Sequence, residues 1–322
     1  MTTVSRCVST LAACVLSFAA QAESAGTYPS HVIKATIPFG AGSATDVVPR
    51  LVFDRLSAEL GQTIVVENRA GAGGTLGTGI IAKAEPDGYN ILAHSSALTI
   101  APAIFTNISY DVTKDLSSML MIGYLPNVMI VPMSRPWNTV QDSAATKKDA
   151  VINYGSVGIG SAVHISAEKF RLAAGFEATH VPYRGGSEVI ADILGGRIDF
   201  YFCPLATALP LIREGQVRAL VVSSTKRVAE LPDVPTTIDV GLKNADSSIW
   251  IGVLAPSKTP REIVEKFHAA GEKVLNEPAM KESLRKMGVE PTPMTPAQMD
   301  MLVKSDTVAN AEVIKAAGIK AN

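Results

Sequence analysis

The sequence predicts an α/β protein in which two Rossmann-like sheets are joined by a hinge. Three observations predict it. Strand-like apolar runs ending in glycine- and serine-rich loops alternate with helical patterns twice, over residues 32–98 and again over 151–213, as parallel βα units do. A continuous apolar run at 119–133, broken by Pro126 and rich in β-branched residues from Val128 to Val131, separates the two sets and reads as buried strand pairs near a first inter-domain crossing. With 322 residues, 47% of them apolar, the chain can give each set its own core. The expected division is residues 27–125 plus 247–322 for the first lobe and 126–246 for the second.

Residues 1–22 read as a cleaved secretory signal. Arg6 precedes the apolar stretch Val8–Ala19, and Ala20-Gln21-Ala22 puts small residues before Glu23. That stretch, about a dozen residues, is too short to span a bilayer as a helix. Leu11-Ala12-Ala13-Cys14 resembles a lipoprotein cleavage box, the weaker alternative because few apolar residues precede the cysteine. Cleavage after Ala22 would remove Cys7 and Cys14 and leave Cys203 alone, so no internal disulfide is expected.

In the first set the strands are VIKATIP (32–38), TIVVENR (63–69) and YNILAHS (89–95), running into FGAGSAT, AGAGGT and SSAL. Small residues let a ligand approach the backbone, and the first N–H groups of a helix lack intrahelical partners, so such junctions suit an anion. None of the three loops carries a lysine, which argues for a carboxylate over a nucleotide phosphate. After the first loop, Val47, Leu51, Phe53, Leu56 and Leu60 mark an amphipathic helix closed by Gly61. Placing Pro49 within the first three helical positions makes Asp46 the N-cap, with ligand contact as the alternative. Gly77-Thr78-Gly79-Ile80-Ile81-Ala82 matches a dinucleotide pattern only formally, since its glycines lie inside a helix rather than after a strand. Residues 100–116 read as a loop.

The second set repeats the pattern. VINYGS (151–156), ATHVPY (178–183) and RIDFYF (197–202) enter GSVGIGSAVH, RGGSEV and CPLATALPLIREG, suggesting a second parallel sheet. VRALVVSS (217–224) and WIGVLAP (250–256) follow, one of them recrossing to the first lobe. Helices are expected at 260–275, 278–287 and 296–317.

Charge is balanced, 29 basic against 30 acidic residues, which argues against a nucleic-acid partner. The histidines are scattered, and HExxH and paired CxxC are absent, so neither metal nor cofactor is expected. His94 with Ser95 or Ser96, and His164 with Ser161, can be drawn as base and nucleophile, but the nearest run to a G-x-S-x-G elbow, Tyr154–Gly158, has tyrosine where glycine is needed.

Taken together, IPFGAGSATDVVPR (37–50), VVENRAGAGGTLGT (65–78), AEPDGYNIL (84–92), INYGSVGIGSAVHISAEKF (152–170), HVPYRGGSEVIADILGGRIDF (180–200), LPDVPT (231–236) and WIGVLAP (250–256) resemble the substrate-binding proteins of tripartite tricarboxylate transporters, the Bug family. The resemblance implies a two-lobed periplasmic binding protein fold, type II-like, with an interlobe site for a small organic carboxylate. It also implies a non-catalytic receptor, here expected as a monomer, that hands its ligand to a membrane permease of one large and one small integral subunit; a sensor serving a signalling partner is the alternative. The chain departs from the family at Ala41-Gly42-Ser43, where a Pro-Gly-Gly type loop is usual, at Pro49, and at Asn310, where an aromatic is usual.

A carboxylate leaves water only where several donors replace its hydration. The first lobe is expected to offer the N–H groups of Ala41, Gly42, Ser43, Gly74 and Thr75 with the hydroxyls of Ser95 and Ser96. The second is expected to offer Ser156, Gly160, Ser161 and the helix start at Ala162. His94, His164, Arg184, Tyr201 and Cys203 are candidates for the ligand's distal end, and Phe39 for a wall. Each has a plainer role available: His164 to hold neighbouring loops, Arg184 as an exposed loop residue near Glu188, Cys203 as a small buried hydrophobe.

Overall fold

The computed structural model describes residues 28–145, 151–175 and 177–320; the signal segment, with Cys7, Cys14 and the cleavage point, lies outside the described residues. In chain order the first set comprises β1 (Ile33–Ile37), α1 (Ala44–Leu60), β2 (Ile64–Asn68), α2 (Thr75–Ala82), β3 (Asn90–Ser95) and α3 (Ala97–Ile104). β4 (Leu116–Pro132) leads to the second set: α4 (Val140–Ala144), β5 (Asn153–Ser156), α5 (Ala162–Ala174), β6 (Thr179–Pro182), α6 (Gly186–Leu194), β7 (Phe200–Pro204), α7 (Leu205–Arg213) and β8 (Val217–Val222). The chain then returns through β9 (Ser248–Pro256), α8 (Arg261–Asn276), α9 (Pro278–Lys286), β10 (Glu290–Pro291) and α10 (Pro296–Ala317).

The strands lie in the order β2-β1-β3-β9-β4-β7-β5-β6, with β8 and β10 also paired to β4. β4 is therefore one strand of 17 residues rather than the strand pairs expected from its apolar run. Its first half pairs with β9 as far as Pro126, and from Asn127 it pairs with β7 and β8. The proline falls where the partners change, a position that tolerates a missing donor. The second sheet is mixed rather than wholly parallel. β5 runs parallel to β6 and β7, but β4 is antiparallel to both β7 and β8.

The register brings the site together. Ser95, ending β3, pairs with Ile251, which pairs with Gly123 of β4; Pro204, ending β7, pairs with Asn127. The carboxyl ends of the parallel strands of both sets thus point at each other across the middle of β4, where ligands of open α/β sheets bind.

Two helix starts differ from expectation. α1 begins at Ala44 with Ser43 as N-cap, so Asp46 is its third residue and not its cap, and Pro49 sits inside the helix. Asp46 instead reaches back to accept the Gly42 N–H at 3.0 Å and bonds Arg50 Nε at 2.8 Å and Asn68 Nδ2 at 2.9 Å. Burial alone would raise its pKa, but these hydrogen bonds outweigh it and hold the carboxyl below its usual range. The buried face of α1 is correspondingly Val48, Val52, Phe53 and Leu56, with Gly61 closing the helix in the left-handed region at φ 72°. The third junction also opens a helix, α3, which takes Ile100–Ile104 out of the expected loop.

Candidate functional site

Four helix starts converge between the lobes. A slot of about 30 Å³ is walled by Gly42–Thr45 at the start of α1, Ser161–Val163 at the start of α5, Gly186 of α6, and Pro204 with Thr207 at the start of α7. Phe39, Ser95, Val157, Tyr201 and Ile249 complete it, and no charged side chain lines it. The N-cap residues of α1, α6 and α7 make no side-chain capping bond. Positive helix ends gathered in a slot without formal charge suit one anionic head group. The Ser43 hydroxyl is buried there without a partner among the described residues, and the Tyr201 phenol, whose pKa burial raises well above its ordinary value, is 2% exposed.

The lobes touch beside the slot, and glycine permits the contact. A Cβ on Gly40 would stand 3.3 Å from the Arg184 carbonyl oxygen, and one on Gly186 would stand 3.4 Å from that of Gly42. On the far side of Phe39 and Val157 the cleft widens into a chamber of about 540 Å³ between loops 70–74, 157–159 and 182–184. Arg184 lines this chamber; its N–H donates to Glu188 Oε2 at 2.9 Å.

The second-lobe loop is built on imidazoles. His164 and His180 stack at 3.9 Å with 11° between planes, and Tyr154 stacks on His180 at 5.0 Å. His180 Nε2 lies 2.6 Å from Ser156 Oγ, which accepts the Gly158 N–H at 3.0 Å, and His164 Nδ1 accepts the Gly160 N–H at 3.2 Å. Burial pushes His164 down to about 4; burial and then the neighbouring His164 push His180 to about 3. Both rings are therefore neutral at physiological pH and act as fixed hydrogen-bonding braces. Tyr154 donates to Glu168 Oε1 at 2.5 Å, and Glu168 pairs with Arg171 at 2.9 Å behind them.

Of the residues singled out in the sequence, Phe39, Gly42, Ser43, Ser95, Ser161 and Tyr201 line the slot, while Gly74 and Arg184 line the chamber with Phe39. The others stand elsewhere. Ala41 is exposed and off the slot wall, and the Gly42 N–H is held by Asp46. The Gly74 N–H turns to the Gly71 carbonyl at 3.0 Å, and Thr75 directs both its N–H and its hydroxyl to Ala72. Ser96 stands at the N-cap position of α3 without a side-chain capping bond and lines a separate cavity with Trp250 and Asn310. Ser156 and Gly160 serve the imidazole brace, as does His164. His94, pushed down to about 4 by burial, lies behind Phe39 and takes the Ser95 N–H on Nδ1 at 2.8 Å. Cys203 is fully buried in β7, its thiol pKa raised by burial.

The pairing of Ser156 with His180 is the closest serine–imidazole contact described above, but Ser156 is fully buried and its hydroxyl also meets both polar groups of Gly158. Thr45 and Gly186 lie in the loops FGAGSAT and RGGSEV picked out in the sequence but were not singled out as residues, and the α7 start was missed altogether. The α7 junction, Cys203-Pro204-Leu205, lacks glycine and serine, and its only signal was a strand running directly into a helical pattern.

The sequence profile of the family described as tripartite tricarboxylate transporter family receptor matches residues 48–319. Among solved structures, that of the periplasmic binding protein BugD is 33% identical with a TM-score of 0.87, covering 91% of this chain and 100% of that one. A protein of R. palustris solved with adipate is 29% identical, TM-score 0.87, with 91% and 100% covered. MatC from Rhodopseudomonas palustris with bound malate is 28% identical, TM-score 0.84, with 89% and 100% covered.

Proposed function

The chain belongs to the tripartite tricarboxylate transporter receptor family, and from that premise we propose that it is a periplasmic receptor that captures a small organic carboxylate between its lobes. It delivers the ligand to the large and small integral subunits of a membrane permease. The observation that carries the reading is the slot: four helix starts and, among the described residues, an unpartnered Ser43 hydroxyl and no charged side chain on the wall. Each hydrogen bond to a charged acceptor contributes roughly 1.5–3 kcal/mol. Each helix end adds about 0.3–1 kcal/mol, and up to about 2 where partly buried. Several together offset the several kcal/mol needed to strip a carboxylate of water. That similar chains hold adipate and malate supports the same chemistry here.

Closure follows from the same geometry. The Gly40–Arg184 and Gly42–Gly186 approaches lie between the lobes beside the slot, so a bound anion that adds bonds from both sides favours the arrangement in which they meet by its differential affinity. Thermal unfolding tests the function: mono- and dicarboxylates raise the midpoint, and the matching amides and sugars do not. Equal shifts for an acid and its amide contradict a carboxylate site.

A further inference from the structure

We propose that a second site, between the lobes but apart from the slot, binds a small zwitterion of the amino acid class, its ammonium at Asp306 and its carboxylate at Lys169; it stands whether or not the slot takes a carboxylate. The cavity concerned holds about 290 Å³, near the lower bound of roughly 300 Å³ for small-molecule sites. Both lobes wall it. Lys169 comes from α5 of the second, Asp306 and Asn310 from α10 of the first, and Ser247 and Ser248 from the crossing into β9. Ile249 lines the slot while its neighbours Ser248 and Trp250 line this cavity, as alternation of side chains along a strand requires, and of the described residues only Ala162 lines both.

Opposite charges line the cavity without an ion pair. Lys169 Nζ donates to the Asp246 carbonyl oxygen at 3.3 Å and Asp306 Oδ2 accepts the Trp250 indole N–H at 2.8 Å, and among the described residues neither side chain forms a salt bridge. Burial raises the Asp306 pKa, against the Trp250 bond and the charge of Lys169, which lower it, so the carboxylate gains from a cation beside it. Asp246 adds a second acid to the wall. That surplus of negative charge disfavours a plain acid, while Lys169 offers a carboxylate one cationic partner, and a ligand with a charge of each sign answers both ends. Asn310, one turn beyond Asp306 on the same side of α10, gives its amide N–H to Thr99 Oγ1 at 2.8 Å and keeps its carbonyl oxygen for the ammonium. The Ser96 hydroxyl, in a buried residue and without a partner among the described residues, adds one more polar group. Ile100, Ile165 and Leu302 leave an apolar wall for a short side chain.

Titration calorimetry of the purified receptor with L-valine, 2-methylpropylamine and 3-methylbutanoate tests this; the second lacks only valine's carboxylate and the third only its ammonium. Valine binds about 10-fold or more tightly than the amine. Asp306→Asn and Lys169→Met each weaken valine by about 10-fold or more, whereas Asp306→Asn leaves 3-methylbutanoate, an acid for the slot, within about 2-fold. Asparagine retains an acceptor for Trp250 and Lys169 is only half-buried, so both variants are expected to fold, which thermal midpoints without ligand check. No binding of valine overturns the proposal, as does an amine that binds equally well. Valine binding that either variant leaves unchanged overturns it too, and so does a loss for 3-methylbutanoate as large as that for valine.

Discussion

The two lobes present the same kind of sequence to the cleft, a glycine- and serine-rich loop before a helix, and use it in opposite ways. In the loop before α1 one side-chain group is left open: the Gly42 N–H is held by Asp46, but the Ser43 hydroxyl has no partner among the described residues and makes no capping bond. In the loop before α5 the polar groups are committed. Ser161 caps its own helix and bonds the Gly158 carbonyl, Ser156 meets His180 and Gly158, and the Gly160 N–H is held by His164. A free group can serve a ligand, whereas a committed one fixes the shape of the wall. The first-lobe loop is therefore read as the donor and the second-lobe loop as the template, a distinction composition does not reveal.

Acid should break the template first. His94 and His164 are pushed down to about 4 and His180 to about 3. An imidazole whose folded pKa lies below its unfolded value of about 6.5 binds its proton more readily when unfolded, so its stabilisation is complete above about pH 6.5 and is lost as the pH falls toward 4. Each such ring contributes a slope of roughly 1.4 kcal/mol per pH unit in that window. Denaturant unfolding should show stability dropping by several kcal/mol from about pH 6.5 to 4.5. A flat profile would show that the rings are not buried neutral.

Next in size is Ser156→Ala, which strands His180 Nε2 and the Gly158 N–H. It should cost roughly 1–3 kcal/mol of stability, with ligand affinity changing far less than for a slot residue. Asp46→Ala should cost about 1–2 kcal/mol by releasing Gly42, Asn68 and Arg50; urea midpoints check both. The smallest effect on stability separates the lobes most sharply. Ser43→Ala removes a buried hydroxyl that has no partner among the described residues, so stability should move by less than about 0.5 kcal/mol. Carboxylate affinity should fall about 10-fold by calorimetry, one charged hydrogen bond's worth. The reverse pattern, stability lost and affinity kept, would show that the two loops had been assigned the wrong way round.

Much of the fold was legible because its strands are short apolar runs bounded by glycine, proline and asparagine. The boundary of α1 was not. Local rules gave Pro49 a first-turn position and made Asp46 the cap, yet burial of Pro49 in the core and three hydrogen bonds at Asp46 support a helix that starts at Ala44. At the site, the junction pattern picked out the α1 and α5 starts, but which donors remain free depends on local turns and distant partners. The Gly74 N–H folds back on Gly71, and His180 reaches Ser156 from 24 residues away in the chain. The α7 start contributes to the slot through a proline-led junction that carries no glycine signature.

The central claim is that a carboxylate is held by neutral donors at the four helix starts. A crystal structure of the receptor with adipate tests it most directly. The account predicts one carboxylate of the ligand within hydrogen-bond distance, roughly 2.7–3.2 Å, of Ser43 Oγ and of first-turn N–H groups of α1 and α5. Adipate held at Arg184 alone, with both carboxylates outside the slot, would contradict it.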